Sequence, residues 1–271
     1  MGPGRRGTVV TVRAMSAPSP VRITPRWVAS DAAVLARRTL LHYLRVPSLV
    51  VFSVVSPVMF VLLFAFVFGG AISVPGTRYV DYLMGGILVQ TVAFGSTETG
   101  VGLADDLSHG MVDRFRALPM ARSAVLAGRT LADTTRHAFM VVTMTGVGLL
   151  IGFRAHGGIA RAGLALLVVL FFGLALSWVS ATIGLAVQDV EATQMAGVLW
   201  TFPVTFTSSA FVPVDSMPGW LQAWADINPI TVTGDAVRNL LLGRPAGADV
   251  VQALLWAAAI LAVFVPLAVR R

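Results

Sequence analysis

Residues 105–136 read DDLSHGMVDRFRALPMARSAVLAGRTLADTTR, and the reading of this run decides the fold. It is the longest polar break in the chain and lies between two long apolar stretches. Fifty-six per cent of the 271 residues are hydrophobic and the mean hydropathy is +0.80. That is too apolar for a soluble domain, which must show water mostly polar side chains. A helical crossing of a bilayer takes about 20 apolar residues, so five to seven crossings fit. The expected fold class is an all-α integral membrane protein, and 105–136 is the segment of it that meets water.

On either side of this break the apolar runs divide into six expected spans: 48–68, 82–103, 137–153, 162–187, 194–212 and 250–269. Pro57 falls near the middle of the first, where a missing backbone N–H should kink the helix. Gly69-Gly70 closes it. Residues 1–26 mix Gly, Pro, Ser and Arg without hydrophobic periodicity and are expected to be a disordered cytoplasmic tail. They lack the apolar core of a signal peptide. Residues 27–46 form a candidate interfacial helix, with Asp31, Arg38, His42 and Arg45 inside one narrow wedge of an otherwise apolar circumference. A plain juxtamembrane anchor and an element that transmits motion both fit this pattern. Residues 213–248 are amphipathic, broken by Pro and Gly, and carry Trp220 and Trp224 as candidates for an interfacial belt.

All 20 basic residues are arginine, and the net charge is +7. Without lysine the chain has no GxxxxGK loop to hold the β- and γ-phosphates of a nucleotide. Without cysteine it has no disulfide or thiolate metal site. With the amino terminus inside, the arginines before the first span, in 105–136 and at the carboxyl terminus outnumber Arg78, Arg154, Arg161, Arg238 and Arg244 by three to one. This fits the positive-inside rule with both termini cytoplasmic. The same arginines flank apolar spans, which argues against nucleic acid as the partner.

Within the break, Gly110 should stop any extension of the second span. Met111–Ala117 can form a short helix that Pro119 ends, and a second helix from Ala121 can run directly into the third span. Asp113, Arg114 and Arg116 place charge on the short helix, and Phe115 and Leu118 offer apolar anchors. An aromatic anchor with an arginine rim suits a protein–protein contact; a solvated charged hairpin is the alternative. Inside the spans, Glu98 and Gln90 are the candidate pathway residues. Intramembrane ionisable groups are costly and usually face protein or a water-filled cavity, although Glu98 near the headgroups would be explained by pairing or protonation.

The run Gly110-Met-Val-Asp113-Arg114-Phe115-Arg116-Ala-Leu118-Pro119, followed by Gly128-Arg129, resembles the cytoplasmic-loop signature of ABC type-2 transporter permeases. It is especially similar to the daunorubicin-resistance type of antibiotic and lipid exporters. Phe211-Val-Pro213, Met217-Pro218-Gly219-Trp220-Leu221 and Asn228-Pro229-Ile230 resemble that family's segment before the last span, which re-enters the outer leaflet. Arg238 to Gly243 is similar to its ending. Many relatives place Glu where this chain has Asp113. The resemblance implies a connecting helix at 27–46 and a coupling helix at 111–118 seated on a separate ATP-binding subunit. It also implies a second permease copy or paralogue and export of a hydrophobic antibiotic, polyketide or lipid across a bacterial plasma membrane. ATP and Mg would be bound by the partner, with no cofactor and no catalytic residue in this chain.

Two other readings compete. An ion-gradient-driven secondary transporter or channel would use Glu98, though no inverted repeat is visible. An intramembrane hydrolase would pair Ser96 with His137, though serine is also a common packing residue in membrane helices.

Overall fold

The computed structural model describes residues 47–72, 74–109 and 122–270. The interfacial helix expected at 27–46 and the short helix expected at 111–118 therefore lie outside the described residues. Every regular element among those described is helical. In chain order they are α1 (Pro47–Leu62), continued by a π-helical turn (Leu63–Phe68), α2 (Tyr79–Ser108), α3 (Arg122–Leu150), α4 (Gly158–Val187) and α5 (Val190–Phe206). A 3₁₀ turn (Val214–Ser216), α6 (Gly219–Ile227), α7 (Pro229–Leu242) and α8 (Gly247–Arg270) complete the chain.

The ends of these helices follow from local chemistry. Asp189, in extended conformation, caps α5 by accepting from the Ala192 amide at 2.7 Å. Asn228 does the same for α7, accepting from the Ile230 amide at 2.9 Å, and Pro229 follows at the position where a missing N–H costs nothing. Gly243 closes α7 at φ +75°, the left-handed conformation that favours glycine.

The bundle is built round α2, which is buried on nearly all sides from Tyr79 to Ala93. It runs parallel to α4: Gly173 meets Val92, and further along Gly184 meets Gly100. A Cβ at Gly100 would collide with the Ser180 carbonyl, so the two backbones are in direct contact. It runs antiparallel to α3, where Met84 fills the space beside Gly148, and to α5, where Thr97 lies on Gly197. Leu83, Met84, Ile87, Val92, Met144, Val169 and Phe172 form the fully enclosed apolar core. Beside it Phe60, Phe64, Phe206 and Phe211 stack in a chain that joins α1 to the end of α5, with ring centroids 4.3–6.3 Å apart.

The apolar runs map onto the helices with one correction. As expected, a helix runs from the loop directly into the third apolar run, and α3 is continuous over 29 residues from Arg122 to Leu150. The fifth stops at Phe206 rather than Val212. Pro203 lies in its last turn, and the Thr207 and Ser208 hydroxyls donate to the Pro203 and Thr205 carbonyls at 2.7 and 2.5 Å, competing with helix continuation. Helix α1 remains helical through Pro57, and its last turn, Leu63–Phe68, is π-helical. By length and composition, α4 and α8 are long and apolar enough to cross a membrane, with mean hydropathies of 2.4 and 2.3.

Candidate functional site

Two buried polar systems and one exposed carboxylate stand out. The first system ties α2 to the segment after α5 and to α7. Arg238, on α7, is 5% exposed. Its Nε donates to the Tyr82 carbonyl at 2.9 Å and its Nη2 to the Ser209 carbonyl at 3.0 Å, while Nη1 pairs with Asp235. Its guanidinium also lies over the Tyr82 ring, 3.7 Å from the centroid. Tyr82 donates to the Ser209 carbonyl and Tyr79 to the Phe211 carbonyl, at 2.8 and 3.0 Å. In the irregular stretch 207–213 the Ser209 and Phe211 carbonyls are thus satisfied by side chains from α2 and α7, as buried non-helical backbone requires. Gly86 permits it: a Cβ there would overlap the Ala210 backbone.

The expected outer-leaflet residues divide between this system and the surface. Asn228 is fully buried, its Nδ2 donating to the Val204 carbonyl at 2.8 Å, so one side chain starts α7 and fastens it to α5. Pro218 and Pro229 stand at the starts of α6 and α7, and Pro213 precedes the 3₁₀ turn. Trp220 is exposed, and Trp224 is exposed with its indole N–H donating to the Thr207 hydroxyl at 2.8 Å. That is the pose of an interfacial tryptophan, apolar face outward and polar atom satisfied.

The second system lies where α3 crosses α2. Asp133, Arg136 and His137 share one face of α3 and are all buried. Arg136 Nη2 donates to the Gly95 carbonyl of α2 at 2.6 Å, Nη1 reaches Met140 Sδ at 3.7 Å, and Nε is 3.9 Å from Asp133 Oδ1. The His137 ring fills a slot between two glycines: Cβ atoms on Gly95 and Gly173 would come within 3.0 and 3.1 Å of its nitrogens. The sequence reading used His137 only as a partner for Ser96. The Ser96 hydroxyl instead donates to the Ala93 carbonyl at 2.7 Å, and no hydrogen bond joins it to His137 among the described residues. The cluster was detectable, because Asp133, Arg136 and His137 have the three- and four-residue spacing of one helical face.

Gln90 and Glu98 are not brought together. Gln90 is buried within the bundle, whereas Glu98 is exposed on α2 beside the half-buried Phe94. The loop residues Gly110, Asp113, Arg114, Phe115, Arg116, Leu118 and Pro119, and Asp31, Arg38, His42 and Arg45 before them, lie outside the described residues.

Both ends of the bundle can be identified from their links. Arg78 donates to Asp81 at 2.9 and 3.0 Å and to the Gly152 carbonyl at 2.8 Å. The Arg154 amide donates to Asp81 at 3.0 Å, and the His156 and Gly157 amides both donate to the Leu241 carbonyl at 2.9 Å. The connections before α2, between α3 and α4, and between α7 and α8 therefore lie at one end, with Arg78, Arg154, Arg161 and Arg244. The two ends of the 110–121 connection, at Ser108 and Arg122, lie at the other.

Residues 31–242 match the family model of the ABC-2 type transporter. A daunorubicin resistance ABC transporter permease protein of Streptomyces coeruleorubidus is 35% identical over 233 residues, covering 86% of this chain and 82% of the relative. A probable doxorubicin resistance ABC transporter permease protein of Mycobacterium tuberculosis is 27% identical over 252 residues, covering 90% and 89%.

Proposed function

The chain belongs to the ABC-2 type transporter family, and from that premise we propose that it is the transmembrane permease of an ATP-driven exporter. It has six spans, α1 to α5 and α8, with both termini cytoplasmic in a bacterial plasma membrane. Helices α6 and α7 form the re-entrant segment of the outer leaflet. A separate ATP-binding subunit supplies ATP and Mg, and a second permease copy or paralogue completes the pathway. The cargo is a hydrophobic or amphipathic antibiotic or polyketide, with a lipid as the second class; the resistance phenotypes in the relatives' names support the first.

The observation that carries this reading is the continuity of α3. It leaves the 105–136 loop as helix and reaches the far end of the bundle without a break, meeting α2 through Arg136 and Gly95 on the way. Displacement of the loop by a nucleotide-driven partner has a stiff route into the membrane. Binding of ATP by that partner then shifts the population between inward- and outward-open states. The docking residues are Asp113, Arg114, Phe115, Arg116 and Leu118, bounded by Gly110 and Pro119, and Asp31, Arg38, His42 and Arg45 belong to the connecting helix.

Co-expression with an ATP-binding subunit tests this. Arg114→Glu with Arg116→Glu is expected to abolish co-purification of the ATPase and nucleotide-dependent transport while leaving the permease in the membrane. Unchanged co-purification and transport would defeat the docking assignment. Transport by this chain alone, driven by an ion gradient without nucleotide, would replace it with the secondary-transporter reading.

A further inference from the structure

We propose that the end of the bundle opposite the 105–136 loop carries a binding site for the phosphate headgroup of an anionic phospholipid, held between Arg161 and Arg244. The inference rests on the membrane-embedded nature of the family and not on what the protein exports.

Three connections meet at this end. Arg161, in the first turn of α4, donates from Nη1 to the Arg244 carbonyl at 3.5 Å, and Arg244 Nη2 donates to the Gly76 carbonyl at 3.5 Å. Arg154 donates from Nη1 to the Leu149 and Phe153 carbonyls at 3.2 and 3.0 Å. All three arginines are exposed. Among the described residues the side chains of all three meet only neutral carbonyls, and those of Arg161 and Arg244 only at 3.5 Å. The carboxylates of these connections are already used. Asp81 is buried beneath the bidentate Arg78 and the Arg154 amide, and Asp249 accepts from Asn239 at 2.7 Å. Among the described residues Arg154, Arg161 and Arg244 have no ion-pair partner.

Exposed apolar side chains occur at the same connection and along the start of α4: Leu150 is 87% and Ile159 94% exposed, and Leu164 and Leu167 are exposed further along. Guanidinium groups with exposed apolar side chains at one end of the bundle match the two parts of a phospholipid, whose phosphate accepts charge-assisted hydrogen bonds and whose chains cover the leucines. Arginine suits the role because its planar fork can hold one phosphate through two donors. A zwitterionic lipid offers the same phosphate but cancels its charge, so the site discriminates by net headgroup charge.

The test uses the full chain in nanodiscs of phosphatidylcholine and phosphatidylglycerol, with lipid retained after detergent extraction measured by mass spectrometry. The wild type is expected to retain phosphatidylglycerol in excess of its bulk share. Arg161→Gln with Arg244→Gln should lower that preference roughly tenfold or more, at about 1 kcal/mol per arginine near a charged surface. Arg161→Lys with Arg244→Lys should keep most of it. An unchanged preference in the Gln pair overturns the site. If the Gln pair does not fold, Arg244→Gln alone must show a smaller fall in the same direction, and no fall overturns the site equally. A second arm compares thermal unfolding in neutral detergent with added phosphatidylglycerol or inorganic phosphate. Stabilisation by the lipid alone supports the proposal, and equal stabilisation by inorganic phosphate overturns it in favour of a free-anion site. ATPase coupling is not read in either arm, so failure of the export reading would leave both outcomes intact.

Discussion

Arg238 holds more of the fold than any other single side chain here. It donates to the Tyr82 and Ser209 carbonyls, pairs with Asp235 and covers Tyr82. Arg238→Ala removes all of these contacts, and breaking a buried pair from one side costs about 3–5 kcal/mol. The expected outcome is a large fall in thermal unfolding temperature in detergent, with Arg238→Lys recovering only part because an ammonium cannot serve three divergent acceptors. A melting curve identical to wild type would remove Arg238 from this role. Ser96→Ala should leave transport intact, since its hydroxyl serves only the Ala93 carbonyl; complete loss with normal assembly would revive the hydrolase. The sequence made Arg238, Asn228 and the tryptophans visible because they sit in a recognisable motif. It hid Asp81, Tyr79, Tyr82 and Asp235, whose importance depends on which carbonyls the tertiary fold brings near them.

At the scale of elements, the helices were legible and their ends less so. Apolar runs locate α2, α4 and α8 well, because twenty oily residues have few alternatives. The end of α5 was misread, while the start of α3 near Ala121 was legible although its polar face was not. Asp133, Arg136 and His137 look like loop residues in a hydropathy profile, yet the bundle buries them within a helix. Residues 207–212 look like span, yet hydroxyl and arginine contacts replace the helical ladder there. Close packing gives the matching prediction. Gly100→Leu should separate α2 from α4 and cost about 3 kcal/mol or more through overpacking. Gly146→Leu, on a helix face with nothing within 4 Å, should be nearly silent. Equal effects of the two on unfolding temperature would show that the Gly100–Ser180–Gly184 contact does not hold these helices together.

For the molecule as a whole, Arg78, Arg154, Arg161 and Arg244 gather at one end through links made by the fold itself, and the orientation expected from the positive-inside rule would put that end outside. With no native cysteine, single cysteines report topology cleanly. A cysteine at position 155 or 245 should react with an impermeant reagent applied to intact cells, and one at 116 only after the membrane is opened. Labelling at 116 from outside would invert the protein. Cargo was not legible at any scale: the exposed Glu98 and its apolar neighbours would look the same facing a substrate, a second copy or lipid.

The α2–α3 crossing has a mechanical consequence under the proposed coupling. Arg136 stands fourteen residues, about 21 Å, along α3 from Arg122, the first described residue of that helix, and fourteen from Leu150. With its bond to Gly95 as a pivot, a push at the loop end would swing the far end the opposite way, and moving the pivot by one helical turn would change the gearing between the two ends.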